Sequence, residues 1–214
     1  MLYLIICLSI SSLVSPFLYL YINNYCNLPK RYKMHQTCVF LSLASTVGLI
    51  ITFSRYGITV KGMMISIIMY CALTLSLIDI NCYEIPILLN MIILMCSGIL
   101  LIYNYNNVTS YLMGCILTGG IFLIIYLLSK GTAIGGGDVK LMVCAGLGLG
   151  LPKAIVAFLL SFVIASIVHP ILMKVLRKGN KLAFGPYMAV GIVSAHLYGD
   201  YIAIVYINMC SGGL

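Results

Sequence analysis

The chain has 214 residues, of which 63% are hydrophobic and only 7% are charged, against about 45–50% and about 25% in soluble domains. This balance excludes a soluble enzyme, a disordered chain and a disulfide-stabilised secreted domain, because too little polar surface is available to cover the apolar residues. We attribute the net charge of +8 to basic loops that hold a membrane protein against the inner leaflet, and we expect no nucleic-acid partner.

Apolar runs separated by short polar loops predict an all-α, polytopic membrane bundle of about eight transmembrane helices, forming a single domain over residues 1–214. The first run is interpreted as a span and not as a cleaved signal peptide, because it has no basic n-region and no small-residue cleavage site. The sixth run reaches only about 18 Å, so we expect it to begin at depth or to continue a re-entrant segment from the loop before it. The predicted spans are 2–22, 37–53, 62–77, 86–103, 111–128, 139–150, 154–172 and 186–207.

The Lys and Arg residues predict the orientation in the cell membrane. The odd-numbered loops and their edges carry nine of them, and the opposite side carries three. By the positive-inside rule the odd loops are then cytoplasmic and both termini lie outside. The basic residues of the seventh loop are expected to contact anionic lipid. The nine are Lys30, Arg31, Lys33, Lys130, Lys140, Lys174, Arg177, Lys178 and Lys181, and the three are Arg55, Lys61 and Lys153.

The nine cysteines do not indicate disulfides. Five of them lie inside apolar runs, where a thiol behaves as a small hydrophobic group. No Cys-x-x-Cys pair occurs, which argues against a four-thiolate zinc site. The five are Cys7, Cys71, Cys96, Cys115 and Cys144.

Each of the four acidic residues is a functional hypothesis, because a carboxylate near a membrane span is costly to bury. Asp200 is interpreted as a tolerated polar residue near a helix end. Glu84 either favours the dipole at the start of the fourth span or supports a site. Asp79 and Asp138 are both predicted at the cytoplasmic ends of their spans, and therefore at one membrane level.

Two carboxylates at one level, on different helices, could form a catalytic dyad. Close carboxylates do not both ionise easily, so one can polarise a carbonyl while the other activates water. The glycines at 135, 136 and 137 would then let a substrate strand approach, because they tolerate positive φ. The alternatives are that both acids are snorkelling groups and that the glycines only break a helix.

Three motifs resemble those of type IV prepilin peptidases, the membrane aspartyl proteases that process pilin precursors. The run 135–141, Gly-Gly-Gly-Asp-Val-Lys-Leu, resembles the family's GxGD motif. The run 79–86 has an Asp followed six and seven residues later by Ile85 and Pro86, and Phe-Gly-Pro occurs at 184–186. The resemblance implies catalytic Asp79 and Asp138, no metal or other cofactor, and a prepilin or pseudopilin precursor with a short basic leader as substrate. Supporting or substrate-binding roles are assigned to Gly135, Gly136, Gly137, Lys140, Glu84 and Pro86.

The chain departs from the family pattern at two places. Many members carry an acid directly after Ile-Pro, where this chain has Ile87, and Glu84 could substitute for it. Larger members also carry an insertion with paired Cys-x-x-Cys zinc motifs, associated with N-methylation of the new pilin N-terminus. Loop 23–36 contains only Cys26, so we expect cleavage without methylation.

Two other functions stay open. A presenilin-like or signal-peptide-peptidase-like protease also uses GxGD, but its Tyr-Asp and Pro-Ala-Leu segments do not occur in this sequence. A small ion-coupled transporter could use Asp79 and Asp138 as ion or proton sites. No inverted repeat supports that alternative.

Overall fold

The structure is a computed structural model that describes residues 2–26, 34–176 and 183–210. All regular secondary structure in these ranges is helical, which confirms the predicted all-α bundle. In chain order the elements are α1 (Leu2–Cys26), α2 (Met34–Tyr56), α3 (Val60–Cys82), α4 (Ile87–Tyr103), a 3₁₀ turn (Tyr105–Asn107), α5 (Val108–Leu128), α6 (Gly136–Leu149), α7 (Leu151–Leu176) and α8 (Gly185–Cys210).

The bundle has the character of a polytopic membrane protein. Large apolar side chains are exposed along the outer faces of the helices, where a bilayer would cover them. α4 is apolar but shorter than a full span. α6 has 14 residues and is about 21 Å long, so it is too short to cross alone. Within the described residues, five segments are long and apolar enough to cross a membrane: Thr37–Tyr56, Val60–Cys82, Tyr105–Leu128, Leu151–Lys174 and Gly185–Val205.

The two helices that carry Asp79 and Asp138 extend beyond the predicted spans 62–77 and 139–150. α3 continues to Cys82, so Asp79 lies in its last turn. α6 begins at Gly136, so Asp138 lies in its first turn. Both acids are therefore at helix ends, as the sequence predicts. Hydropathy marks where apolar residues end, whereas the helix continues for as long as its backbone hydrogen bonds are made.

Small residues bring α5 and α6 into close contact. A Cβ atom added to Gly114 would lie 2.8 Å from the carbonyl oxygen of Gly146, and one added to Gly119 would lie 2.4 Å from a methyl group of Val143. Close approach through small residues is the usual way in which helices associate where lipid surrounds them. α6 also packs against α4, so the short helix is held in the interior of the bundle.

The ends of four helices meet at one end of the bundle. α1 and α3 end there, and α6 and α8 begin there. Cys26 at the end of α1 is disulfide-bonded to Cys82 at the end of α3, with a Cα–Cα distance of 6.0 Å. The expectation that the cysteines form no disulfide is therefore wrong for this pair. The 56 residues between the two cysteines give no local signal of their proximity.

Part of the basic set used to predict orientation lies outside the described residues: Lys30, Arg31, Lys33, Arg177, Lys178 and Lys181. Lys174 lies in the last turn of α7 and is exposed. Arg55 lies in the last turn of α2 and Lys61 near the start of α3, at the end of the bundle away from Asp79. Which end faces the cytoplasm stays a prediction.

Candidate active site

A cavity of about 320 Å³ lies where α3 ends and α6 begins. Three of the four acids of the chain line it, whereas the fourth, Asp200, forms an ion pair with Lys153 at 2.7 Å. Most of the acidic charge of a strongly basic chain is thus concentrated at one site. The cavity is lined by Tyr25, Asp79, Tyr83, Glu84, Ile85, Ile87, Asn90, Gly135, Gly136, Gly137, Asp138 and Lys140.

Asp79 is held by the start of α8. Its side chain is 5% exposed, and its Oδ2 accepts a hydrogen bond from the backbone N–H of Gly185 at 2.7 Å. Phe184, the residue before that donor, packs with its ring centroid 5.2 Å from Phe162 and 6.0 Å from Phe122. These aromatic contacts fix the position of the Gly185 N–H and, through it, the orientation of the carboxyl group.

Asp138 is held by its own helix start. It is the third residue of α6, it is 8% exposed, and its Oδ2 accepts a hydrogen bond from the backbone N–H of Gly135 at 3.0 Å. An acid at this position normally bonds back to the residue that precedes the helix. Each aspartate therefore has its Oδ2 engaged by a glycine N–H. Within the described part of the chain no donor engages the Oδ1 of either aspartate, which leaves that oxygen for chemistry.

The two carboxyl groups interact electrostatically. Burial raises the pKa of Asp138, and the charge of Asp79 raises it further, while the hydrogen bond from Gly135 lowers it, with a resulting pKa of about 6. Asp138 lies in the first turn of α6, a helix that is not one of the candidate membrane spans among the described residues. An aspartic acid that holds its proton to about pH 6 can donate it at near-neutral pH, as a dyad requires.

Of the three glycines before Asp138, Gly137 serves packing, and the expectation of positive φ is wrong for all three. Gly135 has φ of −76° and ψ of 153°, and neither Gly136 nor Gly137 has positive φ. A Cβ atom added to Gly137 would lie 2.8 Å from the Cβ of Ile85. The GxGD and Ile-Pro segments are therefore in contact, and Gly137 is the residue that permits their close approach.

The other predicted site residues divide into two groups. Glu84 and Lys140 both line the cavity and are exposed, and the Glu84 Oε2 accepts a hydrogen bond from the Tyr25 hydroxyl at 3.3 Å. Lys140 forms no ion pair with an acid among the described residues. Pro86 is buried and does not line the cavity; it precedes α4 with φ of −60° and ends the turn that brings Ile85 against Gly137.

The sequence patterns did not assign roles to four residues that contribute to the site. Tyr25, Tyr83 and Asn90 line the cavity, and Gly185 bonds to Asp79. Gly185 belongs to the Phe-Gly-Pro motif, which marks the segment as significant but does not indicate what this glycine does. Tyr25 and Tyr83 resemble the many other tyrosines near the ends of apolar runs, and a single Asn in a span carries no motif.

The matched family model covers residues 66–169 and is described as the type IV leader peptidase family. This range contains both aspartates, Ile85 and the three glycines, whereas Gly185 lies beyond it. No solved structure matches the chain.

Two curated relatives are bacterial proteins named prepilin leader peptidase/N-methyltransferase. The chain is 35% identical to the one from Bacillus subtilis (strain 168) over 96 residues, which is 44% of this chain and 39% of the relative. It is 28% identical to the one from Pseudomonas putida over 158 residues, which is 69% of this chain and 54% of the relative. The chain thus spans about two fifths and about half of the lengths of these relatives.

Proposed function

We propose that this chain, whose residues 66–169 belong to the type IV leader peptidase family, is a membrane aspartyl endopeptidase that removes the short basic leader from prepilin-like or pseudopilin-like precursors. The observation that carries this proposal is the pairing of Asp79 with Asp138 on one cavity, each with its Oδ2 held by a glycine N–H. The family supports the substrate class, and the geometry of the two acids supports the chemistry.

The proposed reaction uses only the two carboxyl groups and water. The protonated carboxyl polarises the carbonyl of the scissile peptide bond, and the ionised one takes a proton from the attacking water. The C–N bond of the resulting tetrahedral intermediate then breaks as the new amine takes a proton from the dyad. Because the glycine N–H groups hold each Oδ2, each Oδ1 is the oxygen that exchanges protons.

The charge of the cavity supports a cationic leader as the substrate. Among the described residues that line it, three are acidic, Asp79, Glu84 and Asp138, and one is cationic, Lys140. Glu84 is exposed and has no ion-pair partner among the described residues. A basic side chain of the leader would supply that partner, while the acid-rich cavity attracts the leader by its field.

We place the cavity at the cytoplasmic membrane face. The supporting observation is the bias of Lys and Arg toward the predicted odd-numbered loops, which share a side with the ends of α3 and α7. Anionic lipid is expected to bind the basic residues after α7. A precursor with a cytoplasmic leader and a membrane-embedded apolar helix would then present its cleavage site at the level of the cavity.

We also propose that the product keeps an unmodified N-terminal amine. The support is the sequence of loop 23–36, where Cys26 is the single cysteine, so that a paired-thiolate zinc site is not available there. Mass spectrometry of processed pilin, made in cells with this enzyme and no other methyltransferase, tests the point. An added methyl group would overturn it.

The decisive experiment is cleavage by the purified protein in lipid nanodiscs. The substrate is a precursor with a basic leader that ends in Gly, and the product is identified by mass spectrometry. A matched substrate keeps the same apolar helix but lacks the leader. Cleavage of the first substrate alone, after the leader, is the expected result.

The other outcomes identify the alternatives. Cleavage of both substrates within the apolar helix would favour a presenilin-like intramembrane protease. Cleavage of neither substrate, together with proton or ion flux that depends on Asp79 and Asp138 in sealed vesicles, would favour the transporter.

A further inference from the structure

Asn90 is an unpartnered polar side chain in the wall of the cavity. It is 3% exposed, and neither its Oδ1 nor its Nδ2 has a hydrogen-bonding partner among the described residues. Burying an amide group without a partner costs about 1–3 kcal/mol, and such groups are rare in folded proteins. The buried amide therefore calls for a function that compensates for its cost.

The position of Asn90 connects it to both aspartates. It lies in the first turn of α4, its own N–H bonds to the carbonyl oxygen of Pro86, and its side chain lines the cavity. α4 packs against α3, which carries Asp79, and against α6, which carries Asp138. A group that fills this cavity between the two carboxyls therefore shares it with the Asn90 amide.

The chemistry of a carboxamide indicates what that group is. Its NH₂ donates and its carbonyl accepts, so it matches the N–H and C=O of a peptide unit. We propose that Asn90 binds the main chain of the substrate next to the scissile bond, with Nδ2 donating to a peptide carbonyl and Oδ1 accepting from a peptide N–H. This inference rests on the proposed peptidase function and adds a residue that positions the peptide for the dyad.

Ser97 provides a matched control on the same helix. It is also buried, its Oγ has no partner among the described residues, and it does not line the cavity. It packs against Gly148 of α6 instead. A role of buried polar groups in the packing of α4 would affect both residues, whereas substrate binding concerns Asn90 alone.

The first experiment compares Asn90→Leu with Ser97→Ala in purified protein. Leu has a similar volume and removes an unpartnered polar group, so the melting temperature of Asn90→Leu should equal or exceed that of the wild type. Its kcat/KM on the precursor should nevertheless fall by about 10- to 100-fold. Ser97→Ala should keep kcat/KM within about twofold. Asn90→Ala is the second variant, because truncation needs no added volume.

A second experiment tests the hydrogen bond itself. Synthetic precursors carry a single ester in place of each amide near the scissile bond, which removes one N–H. At one ester position, the kcat/KM of the wild type should be about tenfold lower than on the all-amide precursor. At that same position, Asn90→Leu and Asn90→Ala should cleave the ester and the amide precursor at equal rates. Such coupling would not arise from a purely structural role.

Two results would overturn the inference while the proposed function stands. One is wild-type kcat/KM in both Asn90 variants. The other is an ester effect of the same size in the wild type and in these variants at every position tested. Failure of the wild-type protein to cleave any leader-bearing precursor would instead overturn the proposed function, and the inference with it.

Discussion

Gly185 donates its backbone N–H to Oδ2 of Asp79 at 2.7 Å, across a separation of 106 residues. A Cβ atom at position 185 would lie 2.8 Å from that same oxygen and 3.0 Å from the Asp79 Cβ. The absence of a side chain at this position is thus what allows α8 to begin directly against the carboxyl group. The contact links the Phe-Gly-Pro segment to the segment that carries Asp79.

Gly185→Ala is therefore expected to impair cleavage. The added methyl group would displace the Asp79 carboxyl or lengthen its hydrogen bond, and a charge-assisted bond of this kind contributes about 1.5–3 kcal/mol. The expected loss in kcat/KM is about tenfold or more. Gly120→Ala is the control, because a Cβ atom there has no heavy atom within 4 Å. Equal activity of the two variants would contradict the role given to Gly185.

Asp79→Asn and Asp138→Asn are each expected to abolish cleavage in folded protein. Each change removes a proton donor and acceptor from a cooperating pair, for which single losses cost nearly the full rate enhancement, about 10³-fold or more. Asp200→Asn is the matched control, because it removes the one acid outside the cavity and breaks an ion pair between the exposed Asp200 and the largely buried Lys153. Turnover of purified precursor measures all three. Near-normal turnover of either catalytic variant would exclude the dyad.

The bundle and the two aspartates could be predicted from the sequence, for different reasons. The apolar runs are long enough to indicate helices without any tertiary information. Asp79 and Asp138 stood out because the chain has only four acids. The contacts of Gly137 with Ile85 and of Gly185 with Asp79 were not predictable, because they join segments far apart in sequence. Asn90 was missed because a buried polar group is informative only once its missing partners are known.

Gly137→Ala is expected to lower both stability and activity. The added Cβ atom would lie 2.8 Å from the Cβ of Ile85. Because a Cβ atom is fixed to the backbone, Ile85 can move away only if the whole turn before α4 moves with it. We expect a stability loss of about 1–3 kcal/mol, as for other overpacked sites, together with reduced cleavage. The neighbouring Gly136→Ala is the control, since its nearest contact would be the Tyr126 ring at 3.8 Å. Melting temperature and kcat/KM should separate the two variants.

Asp138→Asn is expected to stabilise the protein, with a defined pH dependence. The pKa of Asp138 in the folded state is raised from 3.8 to about 6, so the folded state binds this proton more tightly than the unfolded one. The wild type is then most stable below about pH 4 and loses stability as the pH rises to about 6. The full effect, about 3 kcal/mol, is present above pH 6.

Asn carries no charge at either pH. The melting temperature of Asp138→Asn should therefore exceed that of the wild type by a larger margin at pH 7.5 than at pH 4. Thermal unfolding in one detergent at both pH values measures this difference. A difference between the two proteins that did not change with pH would show that Asp138 ionises as freely in the folded state as in the unfolded one.

Glu84→Lys is expected to reverse the preference of the enzyme for the charge of the leader. Glu84 is exposed at the cavity and bonded to the Tyr25 hydroxyl at 3.3 Å, so its charge can meet a basic leader side chain without leaving water. Such a contact is modest, and the neutral Glu84→Gln should raise KM by about 2- to 5-fold and leave kcat nearly unchanged. Glu84→Lys should raise KM further on the basic leader. It should regain part of the loss on a precursor whose leader Lys is replaced by Glu.

Salt provides the internal check on the Glu84 contact. Because the contact is exposed, raising the ionic strength to about 1 M, where the screening length is about 3 Å, should bring the KM values of the wild type, Glu84→Gln and Glu84→Lys together. Tyr25→Phe removes the hydrogen bond to Glu84 and keeps the carboxylate, so it should have a smaller effect than Glu84→Gln. KM values that stay apart at high salt would mean that Glu84 acts through the shape of the loop before α4. A wild-type KM that does not change with the charge of the leader would exclude Glu84 as the residue that binds the leader.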